Sequence, residues 1–233
     1  MKAHSDSRYI PLASRASWAK GLLLLAGAVD IAAVLTGFAL YRLADKAPSG
    51  TVTLAQFQAA EDRHDLVILI QVAVYLVAAV VFIRWFHRAY ANLPAVGIDG
   101  LGHRTGWAIG AWFVPIVSLF WPKRIADEIW RGSNPSMEPD QSDARRRGKV
   151  PVFFGLWWLT FLASGFLVSA GSRQWDGAET FSQLELAALV QVSGDVLGVL
   201  SGMLAYVVVD RTSERQQARA TKLATSRALL PQT

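Results

Sequence analysis

The chain has 233 residues, of which 52% are hydrophobic, and its 23 Lys and Arg against 18 Asp and Glu give a net charge of +5. The hydrophobic residues form blocks of membrane-spanning length, which excludes an ordinary soluble domain and predicts an all-α membrane protein, because backbone groups in hydrocarbon must bond within their own segment. The positive charge lies beside these blocks, where it indicates lipid headgroups and not nucleic acid as a partner, and the absence of Cys excludes disulfides and Cys-ligated metals.

The first two apolar blocks predict two transmembrane helices. The first span covers residues 18–41, and the second covers residues 66–83. The second span belongs to a longer helix that begins outside the bilayer, because Thr53 and Gln56 have the spacing of a capping box. That helix is expected to end before Pro94, which cannot continue it.

The third apolar stretch, residues 107–121, is too short to cross a bilayer. As a helix it would measure about 22 Å, against a hydrocarbon core of about 30 Å. Pro115 lies at its middle, and Pro122 follows it. The apolar residues then continue at helical spacing to Trp130, with charged residues on the other faces, as in a helix that lies in the membrane interface. The pattern predicts a Pro-broken re-entrant or interfacial helical segment over residues 107–130.

Two further apolar blocks predict the third and fourth transmembrane helices, over residues 150–170 and 186–209. A polar connector over residues 132–142 and a basic cluster, Arg145 to Arg147, precede the third span. With the first two spans, these blocks predict four transmembrane helices in all, and the broken segment is not one of them.

The distribution of Lys and Arg predicts the topology. If the broken segment does not cross the bilayer, 19 of the 23 basic residues lie on one side; if it does cross, they divide into groups of 8 and 15. The positive-inside tendency favours the first arrangement, with both termini in the cytoplasm. The predicted organisation is a polar basic lead (residues 1–17), a single membrane domain (18–209) and a basic cytoplasmic tail (210–233).

Two sequence runs resemble a known family. They are FIRWFHRAYANL, residues 82–93, and GWAIGAWFVPI, residues 106–116, and Pro122 and Trp130 follow them. The combination is similar to a bacterial membrane family catalogued as domain of unknown function 4328. The resemblance implies a multi-span helical fold over most of the chain, and it implies no activity.

Apart from Lys20 at the end of the first span, Asp30 and Asp195 are the formally charged side chains within the predicted spans, and each lies near the middle of its span. A carboxylate at that depth costs about 2.5–3.5 kcal/mol, so both should face other helices and find polar partners. No basic residue lies at the same depth, so both acids are expected to be neutral. The pair is either a proton or cation site, or a hydrogen-bonded clasp that packs the helices. The candidate partners are Gln71, Tyr75, Thr36, Ser193 and Gln191.

Gly194, Gly198 and Gly202 form a GxxxGxxxG pattern on the last span. Spacing by four residues places all three on one helix face and lets a neighbouring backbone approach closely. The pattern predicts tight helix packing, either within the chain or in a homodimer.

Arginines and tryptophans gather on the predicted cytoplasmic side. Guanidinium groups beside interfacial indoles suit the phosphates of anionic lipid headgroups, although anchoring of the topology alone also demands such residues. The residues assigned to lipid or partner binding are Arg84, Arg88, Arg124, Trp85, Trp107, Trp112 and Trp121.

No motif in the chain indicates an enzyme. The four His lack a metal-binding spacing, and no nucleophile elbow or phosphate loop is present. We therefore expect no catalytic residue, metal or cofactor. The leading hypothesis is a non-enzymatic bacterial inner-membrane protein whose cytoplasmic face engages anionic lipid or an unknown membrane partner. The alternative is a small proton- or cation-linked transporter or channel that uses Asp30 and Asp195.

Overall fold

The computed structural model describes residues 8–137 and 148–229, and over these ranges the chain forms helices and no strand. The all-α prediction is therefore confirmed for the described residues. The basic cluster at Arg145 to Arg147 and part of the 132–142 connector lie outside them. In chain order the helices are α1 (Ala13–Lys46), α2 (Leu54–Ala91), α3 (Trp107–Gly110), α4 (Trp121–Gly132), α5 (Val152–Asp176) and α6 (Phe181–Ala228), with short 3₁₀ turns at Ala47–Ser49, Pro94–Val96 and Val117–Leu119.

In the described part of the chain, α1, α2, α5 and α6 are long and apolar enough to cross a membrane, and they contain the four spans predicted from the sequence. Each helix extends beyond the span predicted for it. The apolar residues mark only the part suited to hydrocarbon, whereas the backbone helix continues until a cap or a breaker stops it. Helix α1 continues in this way to Lys46, and Gly50, with a φ of 69°, closes the turn that follows.

The start of α2 confirms the predicted capping box. The backbone N–H of Thr53 donates to Gln56 Oε1 over 2.9 Å, and the backbone N–H of Gln56 donates to Thr53 Oγ1 over 3.3 Å. These reciprocal bonds satisfy donors that the first helical turn leaves without partners. The helix then runs to Ala91, shortly before Pro94.

The third apolar stretch is broken around Pro115, as its sequence predicts. Helix α3 ends at Gly110, and a regular helix resumes only at α4. Between them, Ile116 has a φ of 65°, which is rare for a β-branched residue. Helix α4 has the predicted amphipathic character, because Ile125 and Ile129 are buried while Arg124 is exposed.

The segment predicted as a basic tail is not separate from the last span. Helix α6 continues through it to Ala228. Its side chains Thr212, Gln216 and Arg219 are buried, so this part of the helix packs against other elements. The polar character of the segment comes from buried hydrogen-bonding groups as well as from exposed charges.

The described residues form two compact units. The first unit contains residues 8–20, 79–137, 148–155 and 206–229, which include α3, α4 and the C-terminal part of α6. The second unit contains residues 21–78 and 156–205, which include most of the apolar residues of the four long helices. The first unit carries the predicted Arg and Trp residues, and the second carries the two intramembrane acids.

Candidate functional site

The second unit brings Asp30 and Asp195 together around one amide. Gln71 Nε2, on α2, donates to Asp30 Oδ1 over 2.9 Å and to Asp195 Oδ1 over 3.2 Å. Tyr75, one helical turn further along α2, donates its hydroxyl hydrogen to Asp30 Oδ1 over 2.7 Å. Asp30, Gln71 and Asp195 are all buried. We call these four residues the acid cluster.

The hydrogen bonds of the acid cluster are unequal. Asp30 Oδ1 accepts two bonds, from Gln71 and Tyr75, whereas Asp195 Oδ1 accepts one longer bond from Gln71. Asp195 Oδ2 is buried and has no hydrogen-bond partner. A buried polar atom without a partner is uncommon and calls for an explanation.

Glycines on the facing helices allow the acid cluster to assemble. A Cβ on Gly194 would lie 2.8 Å from the backbone nitrogen of Val168 on α5, and a Cβ on Gly171 would lie 2.8 Å from the backbone nitrogen of Gln191 on α6. Helices α5 and α6 therefore approach at backbone distance.

Gly198 places the next turn of α6 against the acids themselves. A Cβ at Gly198 would lie 3.1 Å from Asp30 Oδ2 and 3.3 Å from both Ser164 Oγ and Tyr75 Oη. Gly202 lies further along the helix, where an added Cβ would approach the carbonyl oxygen of Leu23 at 3.7 Å. The GxxxGxxxG face thus packs within the chain, and its contacts occupy Gly194 and Gly198.

Three of the predicted partners do not contact the acids. Thr36 Oγ1 and Gln191 Nε2 instead lie 2.9 Å and 3.3 Å from the two ring nitrogens of His64. The Thr36 hydroxyl donates to the carbonyl of Ala32, so its oxygen is available to accept from Nδ1–H of His64. Ser193 is exposed and donates to its own helix.

His64 therefore belongs to a second polar cluster in this unit, seven residues or about 10 Å along α2 from Gln71. The sequence did not indicate that His64 is buried, because a single His next to charged residues is typical of a solvated helix face.

The acid cluster is not a multidentate metal site by composition. Among the residues that the structure describes, no group of three or more His, Asp or Glu side chains could hold a metal ion. The carboxyl oxygens and the phenol of Tyr75 can instead accept and donate protons.

The residues assigned to lipid binding all lie in the first unit, but they are not equally accessible. Arg84 and Arg124 are exposed, and Arg88 is half-buried. Trp85 is buried and donates its indole N–H to Ser213 Oγ over 2.9 Å, so it packs α2 against α6 and does not face outward.

The other three tryptophans are half-buried and hold the broken segment. The rings of Trp107 and Trp121 lie edge to face at 4.6 Å between centroids, and Trp112 packs edge to face on Phe82 and Phe86 of α2. Edge-to-face pairs of this kind contribute about 0.5–1.5 kcal/mol each beyond their buried area. Trp112 thus docks the segment on α2, the helix that carries Arg84, whereas the pair of Trp107 and Trp121 joins two parts of the segment itself.

The family comparison gives the same assignment as the sequence runs. A model of the family described as Domain of unknown function (DUF4328) matches residues 49–214, which is well over half of the chain. The chain belongs to this family. No curated protein and no solved structure matches it. In this DUF4328 protein the matched region contains Gln71, Tyr75 and Asp195, whereas Asp30 precedes it.

A buried polar network around Gln216 of the DUF4328 protein was not predicted. Gln216 Nε2 on α6 donates to the carbonyl of Ala89 over 2.9 Å and to Ser133 Oγ over 3.2 Å, and its Oε1 accepts from Asn92. Asn92 also bonds to both backbone groups of Ile10. The sequence feature that could have predicted this network is the spacing of Thr212, Gln216 and Arg219, which places the three polar side chains on one helix face.

A second unpredicted contact in the first unit fixes the loop before α3. Glu128 Oε1 accepts from the backbone N–H of Gly102 over 2.8 Å, and its Oε2 accepts from the Tyr90 hydroxyl over 3.0 Å. The backbone N–H of His103 donates to the same hydroxyl. These bonds tie α4 to α2 through the loop.

Proposed function

We propose that this protein is a non-enzymatic, multi-pass protein of the bacterial inner membrane whose first unit engages anionic lipid on the cytoplasmic side. The observation that carries the proposal is the surface of the broken segment. Phe113 is 71% exposed and Ile116 is 75% exposed, and four other apolar side chains of the segment are also exposed: Ile109, Val114, Leu119 and Phe120.

Such a surface is suited to lipid and poorly suited to water. Each large apolar side chain taken out of water contributes about 1.5–3 kcal/mol, and a contiguous apolar patch marks a membrane or protein contact. The segment is too short to span, so we propose that it enters the bilayer from the cytoplasmic side or lies in the interface. Both termini and residues 131–149 are then cytoplasmic.

Exposed arginines flank this apolar surface. Arg124 lies one turn beyond Phe120, whose carbonyl oxygen accepts its backbone N–H over 3.2 Å. Arg84 lies on α2 between Phe82 and Phe86, the two rings that hold Trp112. A guanidinium group binds a phosphate through two parallel hydrogen bonds, and each basic residue near an anionic surface contributes about 1 kcal/mol.

Lipid retention tests the proposal. The variant Arg84→Gln/Arg88→Gln/Arg124→Gln should lose bound phosphatidylglycerol, with an affinity about a hundredfold lower at low salt if each charge contributes about 1 kcal/mol. Native mass spectrometry of the detergent-solubilised protein measures the retained lipid. Because Arg88 is half-buried, the double variant Arg84→Gln/Arg124→Gln separates lipid binding from misfolding.

The matched control replaces three exposed arginines of the second unit, Arg42, Arg63 and Arg173, with Gln. This control should keep its lipid. Equal retention by all variants would contradict the proposal. If the wild type carries no anionic lipid but crosslinks to a membrane protein through residues 84–124, a protein partner replaces lipid as the ligand.

The acid cluster favours a second candidate function, a proton- or cation-linked transporter or channel. Two carboxyl groups buried among apolar helices are costly, and such groups commonly mark proton or ion pathways. The unpartnered Asp195 Oδ2 is the specific observation in favour. A clasp built only for packing would gain most from bonds that satisfy every polar atom.

Ion flux in liposomes tests this candidate. Wild-type protein should carry a flux that Asp30→Asn and Asp195→Asn each abolish, while Asp65→Asn, at an exposed acid of α2, should leave it unchanged. Flux that survives both intramembrane substitutions would remove this candidate, without bearing on lipid binding.

A further inference from the structure

We propose that the acid cluster holds one proton, carried by Asp195, beside an ionised Asp30, and that the species it takes up and releases is a proton and not a metal cation. This inference deepens the second candidate function, and its transport consequence rests on that function. The protonation itself is argued from the contacts of the two carboxyl groups alone.

The donors around the two acids distinguish them. Asp30 Oδ1 accepts the Tyr75 hydroxyl at 2.7 Å and the Gln71 amide at 2.9 Å, and hydrogen bonds donated to a carboxylate stabilise its charged form. Asp195 receives only the 3.2 Å bond from the same amide, and no donor points to its Oδ2. A negative charge on Asp195 would therefore be buried with a single, longer hydrogen bond, which assigns the proton to Asp195.

Two ionised acids sharing one amide are not stable at this depth. Both Asp30 and Asp195 are at most 2% exposed, and like charges repel strongly where water does not screen them. Two carboxyl groups that share a site consequently tend to hold one proton between them. Two neutral acids are the alternative, and the two donors on Asp30 Oδ1 favour an ionised Asp30 over it, because hydrogen bonds to a carboxylate are stronger than those to a neutral acid.

The same contacts disfavour a metal cation. Hard cations such as Mg²⁺ and Ca²⁺ take six or more oxygen ligands. The bonds from Tyr75 and Gln71 occupy Asp30 Oδ1, and Gln71 presents its amide nitrogen, a donor, to both acids. Asp30 Oδ2 and Asp195 Oδ2 are left as ligands, so water would have to supply most of a metal's coordination shell inside a buried cluster, whereas a proton needs one of these oxygens.

Infrared spectroscopy of the full chain in lipid tests the protonation. At neutral pH the surface carboxyl groups are ionised, so a carbonyl band of a protonated carboxylic acid reports buried acids alone. The wild type should show a band with the intensity of one group, and Asp195→Asn should abolish it. The control Asp65→Asn should leave the band unchanged, and Tyr75→Phe, which removes a donor from Asp30, should shift it.

Two infrared outcomes would overturn the inference. A wild type without the band has both acids ionised, and a band of two groups that Asp195→Asn merely halves has both acids neutral. Either result contradicts the assignment of one proton to Asp195, whether or not the protein transports an ion.

Flux measurements separate this inference from the transporter proposal. Liposomes that contain a pH-sensitive dye, with Na⁺ and K⁺ indicators in parallel preparations, should report proton movement that Asp195→Asn abolishes. Na⁺ or K⁺ flux without proton movement would overturn the proton assignment and leave the transporter standing. If the infrared band is as expected but no ion flux is measured, the transporter function is excluded and the assignment of a proton to Asp195 stands.

Discussion

Arg219 on α6 donates a hydrogen bond from Nε to the carbonyl oxygen of Val96 over 2.9 Å, although its side chain is only 1% exposed. Its Nη1 also donates to the carbonyls of Asn134 and Met137, which follow the end of α4. Helices leave their last carbonyl groups without partners, and a cation near such an end is favourable. Arg219 thus joins the C-terminal part of α6 to two other chain segments of the first unit.

Replacing Arg219 should destabilise the first unit strongly. Arg219→Met keeps much of the side-chain length but removes the donor from the carbonyls of Val96 and Met137, each loss costing about 1–3 kcal/mol, whereas the carbonyl of Asn134 still accepts the backbone N–H of Met137. We expect a loss of about 3 kcal/mol or more in the free energy of unfolding, measured by circular dichroism during titration with sodium dodecyl sulfate. Arg211→Met, at an exposed position of the same helix, should change it by less than about 1 kcal/mol. Equal effects of the two substitutions would contradict the role given to Arg219.

Gly194→Ala should weaken the packing of α5 on α6. The added Cβ would lie 2.8 Å from the backbone nitrogen of Val168, which cannot move without its helix. Overpacking of this kind costs about 1–3 kcal/mol. Gly165→Ala on α5 is the control, because its Cβ meets nothing within 4 Å. That control should be neutral or stabilising, and thermal unfolding in detergent distinguishes the two.

Gln71→Leu should disrupt the acid cluster. The substitution removes the single donor that both acids share, and each lost bond to a buried group costs about 1–3 kcal/mol. We expect a lower free energy of unfolding and the loss of any proton flux. Gln174→Leu, at an exposed position of α5, serves as the control. A Gln71→Leu protein with wild-type stability would show that the acids do not depend on this amide.

A label at position 113 should lie in the hydrocarbon. The chain contains no Cys, so Phe113→Cys and Ser136→Cys each introduce one labelling site. We expect nitroxide lipids to quench a fluorophore at position 113 and not one at position 136. A water-soluble maleimide should reach position 136 from the cytoplasmic side and a third site, Ser182→Cys, from the periplasmic side. Periplasmic labelling of position 136 would overturn the proposed topology.

The sequence by itself determined the local features of this protein. Apolar runs of about the thickness of the bilayer core predicted the four helices that are long and apolar enough to span a membrane. The Thr53 and Gln56 spacing predicted the start of α2, and Pro115 predicted the break in the third stretch. Each of these depends on residues close together in the chain. The buried position of Asp30 and Asp195 followed equally from the cost of a carboxylate in hydrocarbon.

Only the tertiary structure decided which side chains meet. Of the five candidate partners, Gln71 and Tyr75 bond to the acids, whereas Thr36 and Gln191 bond to His64. Which of these residues meet depends on how each helix is rotated about its axis and shifted along it relative to its neighbours. Packing contacts such as that of Gly194 with Val168 fix this rotation and shift. The C-terminal segment shows the same dependence, since its sequence predicts a basic tail and Arg219 is buried only because carbonyl groups more than 80 residues away receive its hydrogen bonds.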